Sequence, residues 1–295
     1  MDTRELKLFK HLAMTLHFGK SARSCHVTPS TLTRTIQRLE EEVGEPLFYR
    51  DNRSVELTAA GRIFREYADD VLNRWEQMQN QLSCEDELTG ELSLYCSVTA
   101  AYSILPAILE DFRSAHPRVH IKLATGDAAL ALERLENREF DMVIAALPDP
   151  FPERLISMAI METPLVCIGP RSFPEIVVFR NKEIDWNRTP QVMAEFGLGR
   201  ERLDHWLQQR KIVPNIYAEV AGNEAIIAMV SLGFGVGVVP ELVLEKSPVR
   251  DQVEVLQRPD ELAPFVIGIC AGRRSMEKPQ VNEFWRLTKA ARAAL

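Results

Sequence analysis

The sequence predicts a mixed α/β chain of several domains: a small winged helix-turn-helix, a long linker helix, and a larger two-lobed α/β domain. Three observations predict it. The first 58 residues carry helical apolar periodicity followed by a hairpin pattern. An unbroken helical pattern follows to about residue 82. From Glu91 onward strand patterns alternate with helical ones, the mark of an α/β domain. At 295 residues the chain can hold two or three domains. The expected limits are 1–58, 59–89 and 90–295. Within the last, one lobe takes about 90–162 and 264–295 and the other about 163–263.

Residues 2–16 read as an amphipathic helix with Leu6, Phe9, Ala13 and Leu16 on one face, broken at Phe18-Gly19. A short helix through Ser21–Ser24 and a turn at His26-Val27 lead into a third helix. Thr28 suits its N-cap, Pro29 its first position and Gly44 the left-handed residue past its end. Leu32, Ile36, Leu39 and Val43 recur at helical spacing and form its buried face. The opposite face carries Ser30, Thr33, Arg34, Gln37 and Arg38, with Thr31 in the first turn: groups that bond to phosphates and base edges. From Leu6 to Leu39 there are six Lys or Arg and no Asp or Glu. This third helix is therefore expected to read double-stranded DNA, with Lys20 and Ser21 fixing register on phosphates. Pro46–Arg50 and Ser54–Leu57 read as the strands of a wing turning at Asp51-Asn52-Arg53. Arg50 and Arg53 at its tip suit phosphates or the minor groove, or a pair with Glu40 or Glu41.

Thr58 is expected to cap a helix reaching about Leu82. Ala60, Phe64, Tyr67, Val71, Trp75, Met78 and Leu82 form a seam that calls for a second copy of the same helix or the chain's own C-terminal domain. An acidic hinge at Ser83–Glu87 follows. The α/β run then takes strands at Leu92–Val98, Val119–Ala124 and Met142–Ala146, with helices at Ile104–Ala115 and Ala128–Glu136 between them. A second run starts near Gln191–Ala194, and a terminal helix starts at Pro279. Two runs imply two lobes with a ligand cleft at the carboxyl ends of their strands. Ser97-Val98-Thr99 and Thr125-Gly126-Asp127 are two strand-end corners suited to a carboxylate. In the other lobe Arg200 and Arg202 suit an anion clamp or a solvated helix end, and Gly222-Asn223-Glu224 forms a further helix start facing the cleft.

The net charge of −7 argues against nucleic acid until it is divided. Through Arg65 there are 11 basic and 8 acidic residues, net +3, leaving −10 for the rest. Local charge decides polyanion binding. The five cysteines (25, 84, 96, 167 and 270) are odd in number and widely spaced, which reads as reduced core thiols in a cytoplasmic protein. No apolar run suggests a signal or a membrane span. An enzyme is disfavoured: HExxH, GxSxG and P-loop motifs are absent, and Pro117 prevents His116 and His120 from sharing a helix face. Gly233-Phe234-Gly235-Val236-Gly237 runs on as a strand rather than opening a nucleotide-binding helix. No metal or cofactor is expected, and a solute-binding protein is disfavoured by the basic N-terminal segment.

Taken together, Ala22-Arg23, Thr28 to Arg34, Ile36, Leu39-Glu40, Gly44 to Arg50 and Leu57 to Gly61 resemble the N-terminal signature of the LysR-type transcriptional regulators. The resemblance covers the whole chain. Within the family it is strongest to activators of isoleucine and valine biosynthesis, through Arg50 to Arg53, Gly90-Glu91-Leu92, Cys96 to Ser103, Thr125 to Ala129, Asp185-Trp186, Glu224-Ala225 and Pro240 to Glu245. The resemblance implies a winged helix-turn-helix, a linker helix that pairs subunits, and an effector domain with a periplasmic-binding-protein-like (type 2) fold. It further implies dimers, usually assembled as tetramers on promoter DNA, and contact with RNA polymerase. The implied effector is a small anionic metabolite, acetolactate or acetohydroxybutyrate, acting on acetohydroxy acid isomeroreductase synthesis.

Overall fold

Each unit of the chain is built around its own buried apolar side chains. The computed structural model describes residues 1–50, 54–82, 88–181, 183–259 and 262–292, in two units, Met1–Glu87 and Leu88–Leu295. Arg53 and the 83–87 hinge with Cys84 lie outside the described residues, as does the side chain of Leu82.

In the first unit, α1 (Thr3–Thr15) opens on a reciprocal capping box between Asp2 and Glu5. Leu16 takes a left-handed φ of 49°, and the His17 imidazole accepts the Lys20 N–H at 3.2 Å to start α2 (Phe18–Ser24). The break therefore falls before Phe18 and Gly19, which are helical, because a side-chain cap replaces the expected loop. Helix α3 (Pro29–Val43) starts on the Thr28 hydroxyl, which accepts from Thr31 N–H at 3.1 Å, and stops at Gly44 with φ 80°. Leu32, Ile36 and Leu39 are buried, whereas Val43 in the last turn is exposed. Strands β1 (Phe48–Arg50) and β2 (Val55–Leu57) pair antiparallel as the wing. The Thr58 hydroxyl then accepts from Gly61 N–H at 2.8 Å at the head of α4 (Ala59–Leu82). Phe9 is the hub of this core, 4.7 Å edge-on to Phe64 and 5.4 Å from Phe48.

The expected α4 seam divides in two. Phe64, Ala68 and Leu72 pack into the unit's own core, with Ala60 and Val71 half-buried beside them. Ile63, Tyr67, Trp75 and Met78 stay exposed at 73, 46, 42 and 38%. One helix thus presents two apolar stripes, one used within the unit and one uncovered.

The second unit begins with β3 (Gly90–Cys96), α5 (Val98–Ser103), α6 (Leu105–Ala115), β4 (Val119–Thr125), α7 (Ala131–Glu136), β5 (Met142–Ala146) and β6 (Leu155–Thr163). The other lobe holds β7 (Leu165–Pro170), a small hairpin β8 (Phe179–Arg180) and β9 (Glu183–Ile184), β10 (Pro190–Ala194) and α8 (Leu198–Gln209). It continues through β11 (Asn215–Val220), α9 (Asn223–Ser231), β12 (Gly237–Pro240), α10 (Glu241–Glu245) and β13 (Val253–Gln257). The chain then returns as β14 (Phe265–Gly272) and α11 (Pro279–Ala291). The first lobe's sheet runs β4-β3-β5-β14-β6, with β3 parallel to β4 and β5, and β14 antiparallel to β5 and β6. The second lobe has β12-β7-β13 antiparallel and β10-β11 parallel, joined through a Gln191–Val236 bridge. Strand β3 stops at Cys96 rather than Val98 because Ser97 turns the chain and caps α5, accepting from Ala100 N–H at 3.1 Å. The helix expected at Ala128–Glu136 begins as a 3₁₀ turn over Ala128–Leu130, with Asp127 capping Ala129 N–H.

Cys96, Cys167 and Cys270 are buried and free. Burial pushes the Cys96 thiol to about 11 and that of Cys270 to about 12, so both stay protonated. No described helix is long and apolar enough to cross a membrane.

A buried polar knot secures the base of the first sheet. The Asp141 carboxylate accepts from Ser93 N–H (3.0 Å), the Ser93 hydroxyl (2.7 Å) and Lys278 Nζ (2.8 Å). Burial pushes this carboxyl up, but Lys278 and the Ser93 bonds outweigh it and hold Asp141 below its ordinary 3.8. Removing one member of such a pair strands the other in the interior. Asp141→Ala is expected to cost about 3–5 kcal/mol in urea denaturation at pH 7. In the wild type this stabilisation is complete above pH 3.8 and is lost as the pH falls through the lowered native value. Equal denaturation midpoints for variant and wild type at pH 7 would show that the knot does not stabilise the fold.

Candidate functional site

Two surfaces carry the candidate functional residues, one in each unit. On the first, packing of Leu32, Ile36 and Leu39 turns Ser30, Thr31, Arg34 and Gln37 of α3 outward, all exposed, with Lys20 exposed on α2. Thr28 and Thr33 are partly committed to their own helix. Thr28 is the N-cap, with its hydroxyl 2.9 Å from that of Ser30 and 2.8 Å from that of Thr31, and the Thr33 hydroxyl donates to Pro29 O at 2.9 Å. Pro29 is exposed at the first helical position.

Three expected contacts are redirected. Ser21 is fully buried, its hydroxyl bonded to that of Thr15, so it supports the α1–α2 corner and cannot reach a phosphate. Arg38 extends from the exposed face but pairs with the buried carboxylate of Glu5. Arg50 donates to Glu40 Oε2 at 2.6 Å and stacks 5.2 Å over the Phe18 ring, the pairing that competed with a phosphate contact.

Glu40 is the residue that sequence reasoning missed as an organiser. Its Oε1 accepts from Leu47 N–H (2.9 Å) and Phe48 N–H (3.2 Å) while Oε2 holds Arg50. One carboxylate thereby fixes the wing to the end of α3. No local pattern announces this, because the partners lie seven to ten residues away.

The second surface lies between the lobes of the second unit. The register of β3 on β4 sets Cys96 opposite Thr125, so the Ser97 and Gly126 corners emerge side by side, joined by Gly126 N–H to Cys96 O at 3.1 Å. Tyr95 locks them. Its hydroxyl donates to Asp127 O at 2.9 Å while Arg134 stacks 4.7 Å over the ring. A cavity of about 210 Å³ is lined by Asp127, Phe196, Glu201, Gly222, Asn223 and Phe265, among others. A second cavity of about 50 Å³ reaches Ser97, Thr99, Ile104, Thr163 and Leu242, and the two share Ala128, Ala146, Asn223 and Phe265.

Of the expected cleft residues, the structure brings Ser97, Thr99, Asp127, Gly222 and Asn223 to these walls. Glu224 stands beside them, holding Thr99 through its hydroxyl at 2.7 Å and its N–H at 3.3 Å. Val98 and Thr125 are exposed and, like Gly126, do not line the cavities. The arginine clamp does not form. Arg200 donates to Asp204 (2.8 Å), Glu219 (2.6 Å) and Ala194 O (2.7 Å), tying α8 to β10 and β11. Arg202 donates to Ala263 O and Pro264 O at 2.8 Å and stacks on Phe265. Among the described residues the cavity walls carry no Lys, Arg or His; their charged groups are Asp127 and Glu201. A ligand carboxylate would meet hydroxyls and amides here, and a ligand hydroxyl would find carboxylates to accept its proton. Phe196, Glu201 and Phe265 were missed at the sequence level because long-range return of the chain, not local spacing, places them.

The family described as "LysR substrate binding domain" matches residues 85–293, and "Bacterial regulatory helix-turn-helix protein, lysR family" matches residues 3–62. The chain is 46% identical to the HTH-type transcriptional activator IlvY of Salmonella typhimurium (97% of this chain, 99% of that one). It is also 46% identical to the HTH-type transcriptional regulator IlvY of Escherichia coli K12 (97% and 98%). Among solved structures, a full-length single-residue variant of OxyR from Pseudomonas aeruginosa superposes with a TM-score of 0.67 at 23% identity (99% and 95% covered). Full-length CbnR complexed with its target DNA gives 0.60 at 21% (99% and 100%). At those identities the structural likeness speaks to the fold.

The Tyr95 lock is open to a double-variant test. A Cβ at Gly126 would stand 2.5 Å from the Tyr95 hydroxyl oxygen. Gly126→Ala is expected to destabilise by about 1–3 kcal/mol, the usual cost of overpacking. Tyr95→Phe removes the offending atom and should recover part of that loss in thermal denaturation of the double variant. Strict additivity of the two changes would show that they do not meet.

Proposed function

Because the chain belongs to the LysR family of bacterial transcriptional regulators, we propose that α3 occupies a promoter major groove and that the second unit senses an intermediate of branched-chain amino acid synthesis. The chain is a DNA-binding transcriptional activator with an effector-binding domain, similar to IlvY and not an enzyme. In the proposed arrangement Arg34 and Gln37 read base edges, Ser30, Thr31 and Thr33 assist, and Lys20 sets register on phosphates. The carrying observation is the outward face of α3 from Ser30 to Arg38, a stretch without Asp or Glu, with Arg34 and Gln37 exposed on it. The uncovered α4 stripe of Ile63, Tyr67, Trp75 and Met78 supports pairing with a second copy of the helix. RNA polymerase is the proposed partner on the promoter, in the cytoplasm.

The proposed effector is acetolactate or acetohydroxybutyrate, each with one carboxylate, a hydroxyl and a ketone, acting on acetohydroxy acid isomeroreductase expression. The cleft supports this class: it offers hydroxyl and amide donors for a single carboxylate, and Asp127 and Glu201 as acceptors for a hydroxyl. A dianion would find no cation on the described cavity walls. Movement of the lobes on ligand binding would shift the assembly between DNA-bound states by differential affinity.

Arg34→Ala is expected to lose about 1–3 kcal/mol of discrimination at one base pair. Lys20→Ala should weaken all duplexes alike and lower the salt slope by about one. Footprints of Arg34→Ala indistinguishable from wild type would refute the assignment of α3. For the effector, acetolactate is expected to raise the melting temperature of the full-length protein, by about 2.7 kcal/mol of added stability at a hundred times its Kd. A different acid stabilising the protein while acetolactate does nothing would replace the effector and leave the regulator intact.

A further inference from the structure

We propose that the Thr99–Glu224 bond is a latch between the two lobes of the effector domain, and that a ligand entering the cleft must open it. The inference rests on reading the second unit as the effector domain. Thr99 sits in the first turn of α5 in one lobe, and Glu224 in the first turn of α9 in the other, 125 residues away. A single oxygen, Glu224 Oε1, accepts both the Thr99 hydroxyl at 2.7 Å and the Thr99 N–H at 3.3 Å. Thr99 is buried while Glu224 is exposed, so the bond reaches from the solvent-facing start of α9 into the buried start of α5.

Its position makes it more than a structural tie. Ser97 and Thr99 on one side and Asn223 on the other are walls of the inner cavity, which measures about 50 Å³. Sites for small molecules usually run to roughly 300–1,000 Å³. A ligand that extends from the larger cavity into this smaller one widens it, and its walls include Thr99 and Ala100 of α5 and Asn223, the first residue of α9. Widening therefore parts Thr99 from Glu224. An anionic ligand adds a second force, since Asp127 and Glu201 already make the cleft acidic and Glu224 repels any carboxylate that approaches Thr99. Glu224 thus acts as a resident carboxylate that the ligand displaces, not as a hand that grips it.

The full-length protein tests this through two readouts. In ligand-free hydrogen exchange, Glu224→Ala and Thr99→Val should each speed exchange across 97–103 by about tenfold, as expected for losing a bond to an ionised group. Wild-type exchange rates in both variants would overturn the latch. In calorimetric titration with acetolactate, Glu224→Ala should bind about five- to tenfold more tightly, because a cost of opening is removed. Unchanged or weaker binding would overturn the displacement role, the weaker result making Glu224 a ligand contact. If the wild type takes up no acetolactate, the effector reading fails and the exchange comparison still decides the latch.

Discussion

What α3 presents outward is set by what it buries inward. Leu32, Ile36 and Leu39 must face Phe9 and its aromatic neighbours, and the rotation that achieves this leaves Ser30, Thr31, Arg34 and Gln37 on the opposite side. Burying three such side chains is worth about 1.5–3 kcal/mol each, far more than any single polar preference on the exposed face. The surface proposed to read DNA is therefore aimed outward by the core itself. The same core receives Phe64 and Leu72 from α4 and Phe48 from the wing, so α3, the wing and α4 share one anchor.

Carboxylates inside this unit refine the cationic face. Glu5 holds Arg38 while completing the α1 cap, and Glu40 holds Arg50 while fixing the wing. Both arginines are thus committed to the fold in the DNA-free state. Arg34 remains the guanidinium displayed at the middle of the helix. Sequence-level charge counting treats these cations as equivalent; their partners separate Arg38 and Arg50, held within the fold, from Arg34, which is exposed.

The cleft repeats the theme with the sign reversed. Its walls combine helix starts, hydroxyls and two carboxylates, and the arginines nearest in sequence turn away to brace α8. A site of this composition selects for hydrogen-bond complementarity rather than for net charge. It suits a ligand that both accepts through a carboxylate and donates through a hydroxyl. With Glu224 lying across the lobes, recognition and lobe separation become one event, which is the coupling a regulator needs.

The sequence by itself determined the order of helices and strands in the first unit, the caps at Thr28, Gly44 and Thr58, the wing and the division of charge. These follow from periodicity, turn chemistry and counting, all of which act over a few residues. Tertiary structure alone decided which hydroxyls and cations were available. Ser21 looked like a phosphate ligand until packing buried it, Arg200 and Arg202 looked like a clamp until Glu219 and the Ala263 carbonyl took them, and the α4 seam proved to be two stripes. The reason is one of range. A capping bond joins residues three apart, whereas Glu224 and Thr99 meet across 125, and only the folded chain brings such partners together.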